Sequence, residues 1–380
     1  MRRSRAVMRS VGAASLALVL AAQPAAAVTL QPSIAISGTG ETVSGALGSI
    51  AVSAGRVFVT YIEEQRAWVR ASADGGATFA PPVPVSDPAA VATSPSVAAG
   101  SGTGYVEWTE TPTGGTPRVW FRRSTDAGAT WSTAVALTPP ATSAVTNGRL
   151  FAVLARVFLV YVDDIADRVL VRRSTTSGAA FGAPVSVGTS HTNGPVTMAF
   201  GDQVIYIAWE SSVGSVRLRR STTGASSWGA ARTIQLDTSG HTEGAVPWLA
   251  ARGSRAIIAT STKAGIVVRS TADRGATWAG KVRVTGSGAI GAPIVTRSAS
   301  GWWLAYASCG VDFCEAMKVT LRTSRDGVSW SSPKRIAVGG LTYSLGGAYS
   351  STDGRVWLSW LQEPSWEDWG VYVVKARGGS

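Results

Sequence analysis

Ser124-Thr-Asp-Ala-Gly-Ala-Thr-Trp131 is the stretch on which the reading of this 380-residue chain turns. Ser72-Ala-Asp-Gly-Gly-Ala-Thr-Phe79 repeats its defining positions, and Thr271-Ala-Asp-Arg-Gly-Ala-Thr-Trp278 keeps all but the opening Ser. Ser324-Arg-Asp-Gly-Val-Ser-Trp330 is one residue shorter. In Ser174-Thr-Thr-Ser-Gly-Ala-Ala-Phe181 and Ser221-Thr-Thr-Gly-Ala-Ser-Ser-Trp228 the Asp has become Thr. The closing aromatics stand at 79, 131, 181, 228, 278 and 330, in steps of 52, 50, 47, 50 and 52 residues. A period in this range marks an array of like supersecondary units.

Each copy has the chemistry of a tight turn between two strands. The Asp carboxylate (Asp74, Asp126, Asp273, Asp326) can accept bonds from backbone N–H groups of the turn. The Gly can take positive φ without strain. The closing aromatic (Trp131, Trp278, Trp330) offers a large apolar face, expected to fold back over its own hairpin.

Around these turns the chain reads as short β-prone runs punctuated by its 43 Gly, with no sustained helical periodicity. In the second unit the runs fall at 94–99, 104–109, 118–123 and 134–138. Four antiparallel strands in ~50 residues is one blade of a β-propeller. The same reading puts blades at roughly 44–88, 92–139, 145–188, 193–237, 245–285 and 290–338. Three further strands follow at 341–350, 356–361 and 371–376, and a lone one, Thr29-Leu-Gln-Pro-Ser-Ile-Ala-Ile36, precedes the first blade. Three strands plus one complete a seventh blade, which joins the two ends and removes open edges. The expectation is therefore an all-β, seven-bladed β-propeller of four-stranded antiparallel blades, with six blades as the alternative.

Residues 1–27 read as a secretory signal peptide. Arg2, Arg3, Arg5 and Arg9 form a basic region, an apolar run at 11–22 is too short to span a bilayer, and Ala25-Ala26-Ala27 offers a cleavage site. Residues 28–380 are then a single secreted domain without membrane insertion, expected to be a monomer. Removing the four signal Arg from the formal +12 leaves +8, a basic balance that carries no nucleic-acid motif with it. Cys309 and Cys314 are the only two cysteines, and in a secreted chain they are expected to staple a loop as a disulfide.

Candidate functional residues gather on one side. The second strands end in an aromatic and an acid: Tyr61-Ile-Glu63, Trp108-Thr-Glu110, Tyr161-Val-Asp163, Trp209-Glu210 and Trp360-Leu-Gln-Glu363. Loops after second strands and loops joining blades share one face of a propeller, and the repeat turns lie on the other. Thr146-Asn-Gly148, His191-Thr-Asn-Gly194 and His241-Thr-Glu-Gly244 echo one another on the same expected face. Glu63, Glu110, Asp163, His191, Glu210, His241, Glu243 and Glu363 are therefore the candidate ligand-binding set. No cofactor is expected, and a cation such as calcium is left open, since no metal spacing is matched. The third strands end in Arg70, Arg122, Arg123, Arg172, Arg173, Arg219, Arg220, Arg269 and Arg322, read as solvated residues flanking the turns.

The Ser-x-Asp-x-Gly-x-x-Trp turns resemble the Asp-box, or BNR, repeats of sialidase-like propellers. The resemblance covers essentially all of 28–380 and implies the propeller fold. For a sialidase it also implies six blades, three Arg on a substrate carboxylate, a Tyr/Glu nucleophile and an Asp acid/base. The Arg-Ile-Pro-like stretch that would carry the first Arg is missing; Arg56, Arg66 and Arg70 are the Arg between the signal and the first repeat. Arg149 opens its strand whereas Arg252 and Arg297 close theirs, so they are not expected to converge. Tyr343 and Tyr349 have no motif behind them, and no catalytic residue is carried over. The expected function is a binding module for carbohydrate or another surface ligand on the face opposite the repeat turns. A sialidase-like glycoside hydrolase and a structural cell-surface scaffold are the alternatives.

Overall fold

The computed structural model of the protein describes residues 28–38, 43, 50–139, 145–192, 194–234, 247–262, 264–286, 289–308, 318–338, 342–365 and 368–378. They form seven antiparallel sheets in simple up-and-down order, six of four strands and one whose outer edge is made by two short strands. In blade 2 the strands are Ala90–Gly100, Thr103–Pro112, Arg118–Ser124 and Val135–Ala136, from the centre outwards. The inner strands of blades 1 and 3–7 are Ile50–Ser53, Val145–Val153, Thr197–Phe200, Trp248–Arg252, Ala289–Arg297 and Thr342–Tyr349. Each inner strand adjoins the next, and the last adjoins the first, so the seven sheets close into a β-propeller.

The two ends share the seventh blade, as the leftover strands require. Val28–Leu30 pairs antiparallel with Asp368–Gly378 and forms its outer strand. The lone N-terminal strand proves to be two, because Ile34–Ala35 pairs separately with the same neighbour. Pro32 lies in the break between them, where a residue without an N–H cannot continue the ladder.

The repeat turns have the chemistry their sequence implies. Asp126 accepts bonds from Ser124 Oγ (2.8 Å), Thr130 N–H (3.0 Å) and Thr130 Oγ1 (2.5 Å), and Ser124 Oγ accepts one from Gly128 N–H (2.8 Å). Asp74, Asp273 and Asp326 are bonded in the same way. In the two worn copies Thr176 and Thr223 hydroxyls accept the equivalent N–H, from Ala180 (3.1 Å) and Ser227 (3.0 Å). A hydroxyl thus replaces the carboxylate without loss of the turn.

The aromatics differ from expectation. They cross the seam to the preceding blade instead of covering their own hairpin. Trp131 meets Phe58 of blade 1, Phe181 meets Phe121 of blade 2, Trp278 meets Tyr206 of blade 4 and Phe79 meets Trp357 of blade 7, with ring centroids 5.1–6.4 Å apart. The hydrophobic clusters lie at these seams, so that each blade completes its core only against a neighbour. At Gly76 the φ is +79°, and a Cβ would stand 2.0 Å from the Trp357 ring, so both the backbone and the neighbouring blade demand glycine.

Most of the basic residues at the third-strand ends also differ from expectation: Arg70, Arg123, Arg172, Arg173, Arg220, Arg269 and Arg322 bond carbonyls, whereas Nε of Arg122 and of Arg219 meets no acceptor among the described residues. Every repeat turn receives a basic side chain from the preceding blade: Lys375 to Gly75 O (2.6 Å), Arg56 to Thr125 O (3.0 Å), Arg123 to Ser177 O (3.0 Å), Arg173 to Gly224 O (2.7 Å), Arg220 to Arg274 O (2.8 Å) and Arg255 to Arg325 O (3.3 Å). Arg70, Arg172, Arg269 and Arg322 bond carbonyls in the segment that leads from the repeat turn to their own outer strand. Six of the basic side chains therefore serve as clasps between blades.

Candidate functional site

The face opposite the repeat turns carries the acids singled out from the sequence, and most of them are bound into their own blades. Glu110 is buried, and its Oε2 accepts bonds from Asp87 N–H (2.9 Å) and Trp108 Nε1 (2.8 Å), bracketing the link between blades 1 and 2. Glu210 is buried too; its Oε1 accepts from Gly214 N–H (3.0 Å) and its carbonyl from Ser190 Oγ (2.8 Å). Asp163 Oδ1 caps a hairpin through Ala166 N–H (3.1 Å). His191 Nδ1 stands 3.4 Å from Asp167 Oδ2, both largely exposed. Glu63 is half-buried, and burial, then the charge of Glu64, raises its pKa above the usual carboxylate value. Glu363 lies near the end of the second strand of blade 7, Val356–Ser365. Glu63, Glu110, Asp163, Glu210 and Glu363 stand on the second strands of blades 1, 2, 3, 4 and 7, and the segment of His191 lies against the Glu210 strand, with His191 N–H on Ser211 O (3.1 Å). His241, Glu243, Cys309 and Cys314 lie outside the described residues, as does the signal segment 1–27. Among the described residues no three His, Cys, Asp or Glu side chains are grouped to hold a metal ion, and no helix is long and apolar enough to cross a membrane.

A different cluster stands out once the strands are laid in register. In the second strands, the residue before the aromatic position is Thr60, Glu107, Val160, Ala208, Ala259, Ala305 and Ser359 in blades 1–7. Opposite them on the inner strands of blades 2–7 are Ser96, Arg149, Thr197, Trp248, Ile294 and Gly346. This level of the ring faces the following blade, since Ser96 Oγ accepts Leu150 N–H (3.1 Å) and Thr197 Oγ1 accepts Leu249 N–H (3.3 Å). Glu107 is the lone carboxylate of its series and Arg149 the lone cation of the other.

The two residues meet an unusual environment. Glu107 is 0 % exposed and Arg149 is 4 % exposed. Among the described residues, both Glu107 carboxylate oxygens, and Nε and Nη1 of Arg149, have no hydrogen-bond partner. The Arg149 guanidinium stacks 4.3 Å from the ring centroid of Trp248 and lies 5.4 Å from that of Phe151. Arg149 belongs to blade 3 and Trp248 to blade 5, so this contact spans the middle of the ring. Burial pushes the Glu107 carboxyl well above the usual carboxylate range, against the opposing pull of Arg149. Burial also lowers Arg149, to about 10, which leaves it a cation at neutral pH.

The backbone is shaped to bring these groups in. Irregularities in pairing occur just before this level in the inner strands of blades 2, 3, 6 and 7, and the one in blade 3 falls between Thr146 and Arg149. Bulges of this kind re-aim the side chains that follow. Because the strand begins at Val145, Arg149 sits inside it and not at its opening as read from the sequence. Gly148 lies directly beside the acid, where a Cβ would be 3.0 Å from Glu107 Oε2; Gly194 has the same relation to Glu210 Oε2 at 3.3 Å. The repeated Asn-Gly of the blade links thus makes room for a buried carboxylate. On the repeat-turn side, the ends of the inner strands of blades 3–7 enclose a cavity of about 490 Å³, with Trp248 in its wall. Arg252 and Arg297 stand at that other side, on Ala299 O and on the Tyr349 ring, apart from Arg149 as expected.

No protein-family model matches the sequence, and no curated protein matches it. Solved structures share the fold. An ulvan lyase of polysaccharide lyase family 25 superposes with a TM-score of 0.60 at 10 % identity, over 90 % of this chain and 95 % of that one. A protein of unknown function from Dyadobacter fermentans gives 0.54 at 12 % identity, over 77 % and 96 %. The phage phi92 endosialidase gives 0.53 at 10 % identity, over 92 % and 69 %. The chain is thus similar in fold to sialidase-like and polysaccharide-lyase propellers, and at these identities the likeness is one of fold.

Proposed function

We propose that the protein is a secreted Asp-box β-propeller that binds carbohydrate on the face opposite its repeat turns and at the centre of the ring. The observation that carries this reading is the Glu107–Arg149–Trp248 cluster. Its positions are filled in other blades by Ser, Thr, Val, Ala, Ile or Gly, so the fold has no need of a buried acid or cation there. Groups that cost stability and serve no structural bond are the signature of a ligand site. An aromatic face beside charged hydrogen-bonding groups is suited to a sugar.

Binding is preferred to hydrolysis because a glycosidase needs two carboxylates flanking one bond. The acids on this face are held separately, each by its own blade. The test is a glycan array with the secreted protein, followed by fluorogenic sialosides and other aryl glycosides. Array binding lost in Arg149→Gln supports the reading. Turnover lost in Glu107→Gln would replace it with the hydrolase, and silence in both assays would favour the surface scaffold.

A further inference from the structure

We propose that the centre of the ring is a site for one small monoanionic group, held by Arg149 above Trp248 and bounded by Glu107. This names the ligand chemistry of the cluster on which the carbohydrate reading rests. Arg149 is a cation enclosed by protein, and among the described residues two of its donors, Nε and Nη1, meet no acceptor. Among the described residues no carboxylate forms an ion pair with it. Glu107 is near enough to attract it but is itself fully buried, and burial favours the protonated form of the acid. The stack on Trp248 offsets part of the cost of burying the cation. An enclosed, uncompensated ion costs more than such a contact returns. A neutral molecule would satisfy the donors but not the charge. A monoanion does both, because either free donor can bond an anionic oxygen while the group neutralises the cation, and a protonated Glu107 can donate to the same group.

The occupant is either a free small anion or the acidic group of a sugar, and one set of melting curves separates them. Thermal unfolding would be followed in sodium bromide, sodium formate, sodium D-glucuronate and glucose, each against the bulky sulfonate MES at equal ionic strength. A saturable rise in Tm with bromide or formate assigns the site to a free anion. A rise with glucuronate alone assigns it to an acidic sugar. No rise above MES with any of them overturns the proposal. Arg149→Gln should weaken the response by about tenfold or more. If that variant does not fold, Arg149→Lys, which keeps the charge but not the fork, should show a weaker response than wild type. An undiminished response in the variant that folds overturns the assignment to Arg149. Glu107→Gln mimics the protonated acid and should leave the response within a few-fold. A tightening beyond about tenfold would mean an ionised Glu107 repels the anion, and would overturn its role. Binding of neutral glycans on the array without any anion response sinks this site and spares the carbohydrate reading. An anion response with a silent array does the reverse.

Discussion

Asp126 and Glu107 are carboxylates with opposite fates. Asp126 is exposed but accepts several bonds, led by those from the Thr130 hydroxyl and N–H, and these hold its pKa down at about 2. A depressed carboxylate contributes stability that is fully present above its unfolded value near pH 4 and is lost as pH falls towards 2. Asp126→Ala should therefore cost about 1 kcal/mol at neutral pH, from the lost turn bonds, and the deficit against wild type should shrink between pH 4 and 2. Urea denaturation across that range measures it. Glu107 is the converse. Its folded-state pKa is raised, so ionisation in the unfolded chain opposes folding once pH exceeds about 4.3. Glu107→Gln should stabilise the protein at pH 7 by roughly 1–3 kcal/mol, with the gain fading as pH approaches 4. Denaturation at the two pH values decides this.

The repeat turn, as an element, does two jobs. Within its blade it satisfies backbone donors, and across the seam it docks an aromatic and receives a clasp. Gly76→Ala tests the docking, because the added methyl meets the Trp357 ring at 2.0 Å on a backbone of positive φ. It should destabilise by about 1–3 kcal/mol or more. Arg173→Ala tests the clasp by removing the bond to Gly224 O, and should lower stability by about 1 kcal/mol with the urea m-value unchanged. The turn's own bonds were readable in the sequence because they span a few residues. The seam contacts were not, because Arg173 and Gly224 are 51 residues apart and nothing local states which blade a side chain faces.

For the whole molecule, closure is the decisive event. Asp368–Gly378 would be an open edge without Val28–Leu30 and Ile34–Ala35. Deleting residues 28–36 should uncover that edge and give soluble aggregates in size-exclusion chromatography; a monomer with the wild-type Tm would mean the ring closes by other contacts. Closure also makes the candidate site. Arg149 and Trp248 belong to blades that are not neighbours, and they meet only because the ring is complete.

The sequence by itself determined the period, the four-stranded blade, the count of seven and the joining of the two ends, since each follows from short-range turn chemistry repeated at a fixed spacing. It also set the acids at the strand-2 ends, but not their use: Glu110, Asp163 and Glu210 spend their oxygens on local backbone or indole groups. The signal for Glu107 was present, as a carboxylate in a register position otherwise filled by Thr, Val, Ala and Ser, yet it became visible only when pairing fixed that register. Arg149 does not converge with Arg252 and Arg297, as its place in the sequence implies, but its position inside a strand that begins at Val145 is a matter of pairing. Only the tertiary structure decided that these two charges share the centre of the ring. Burial, charge compensation and contact between distant blades are properties of the closed ring, which no local stretch of the chain encodes.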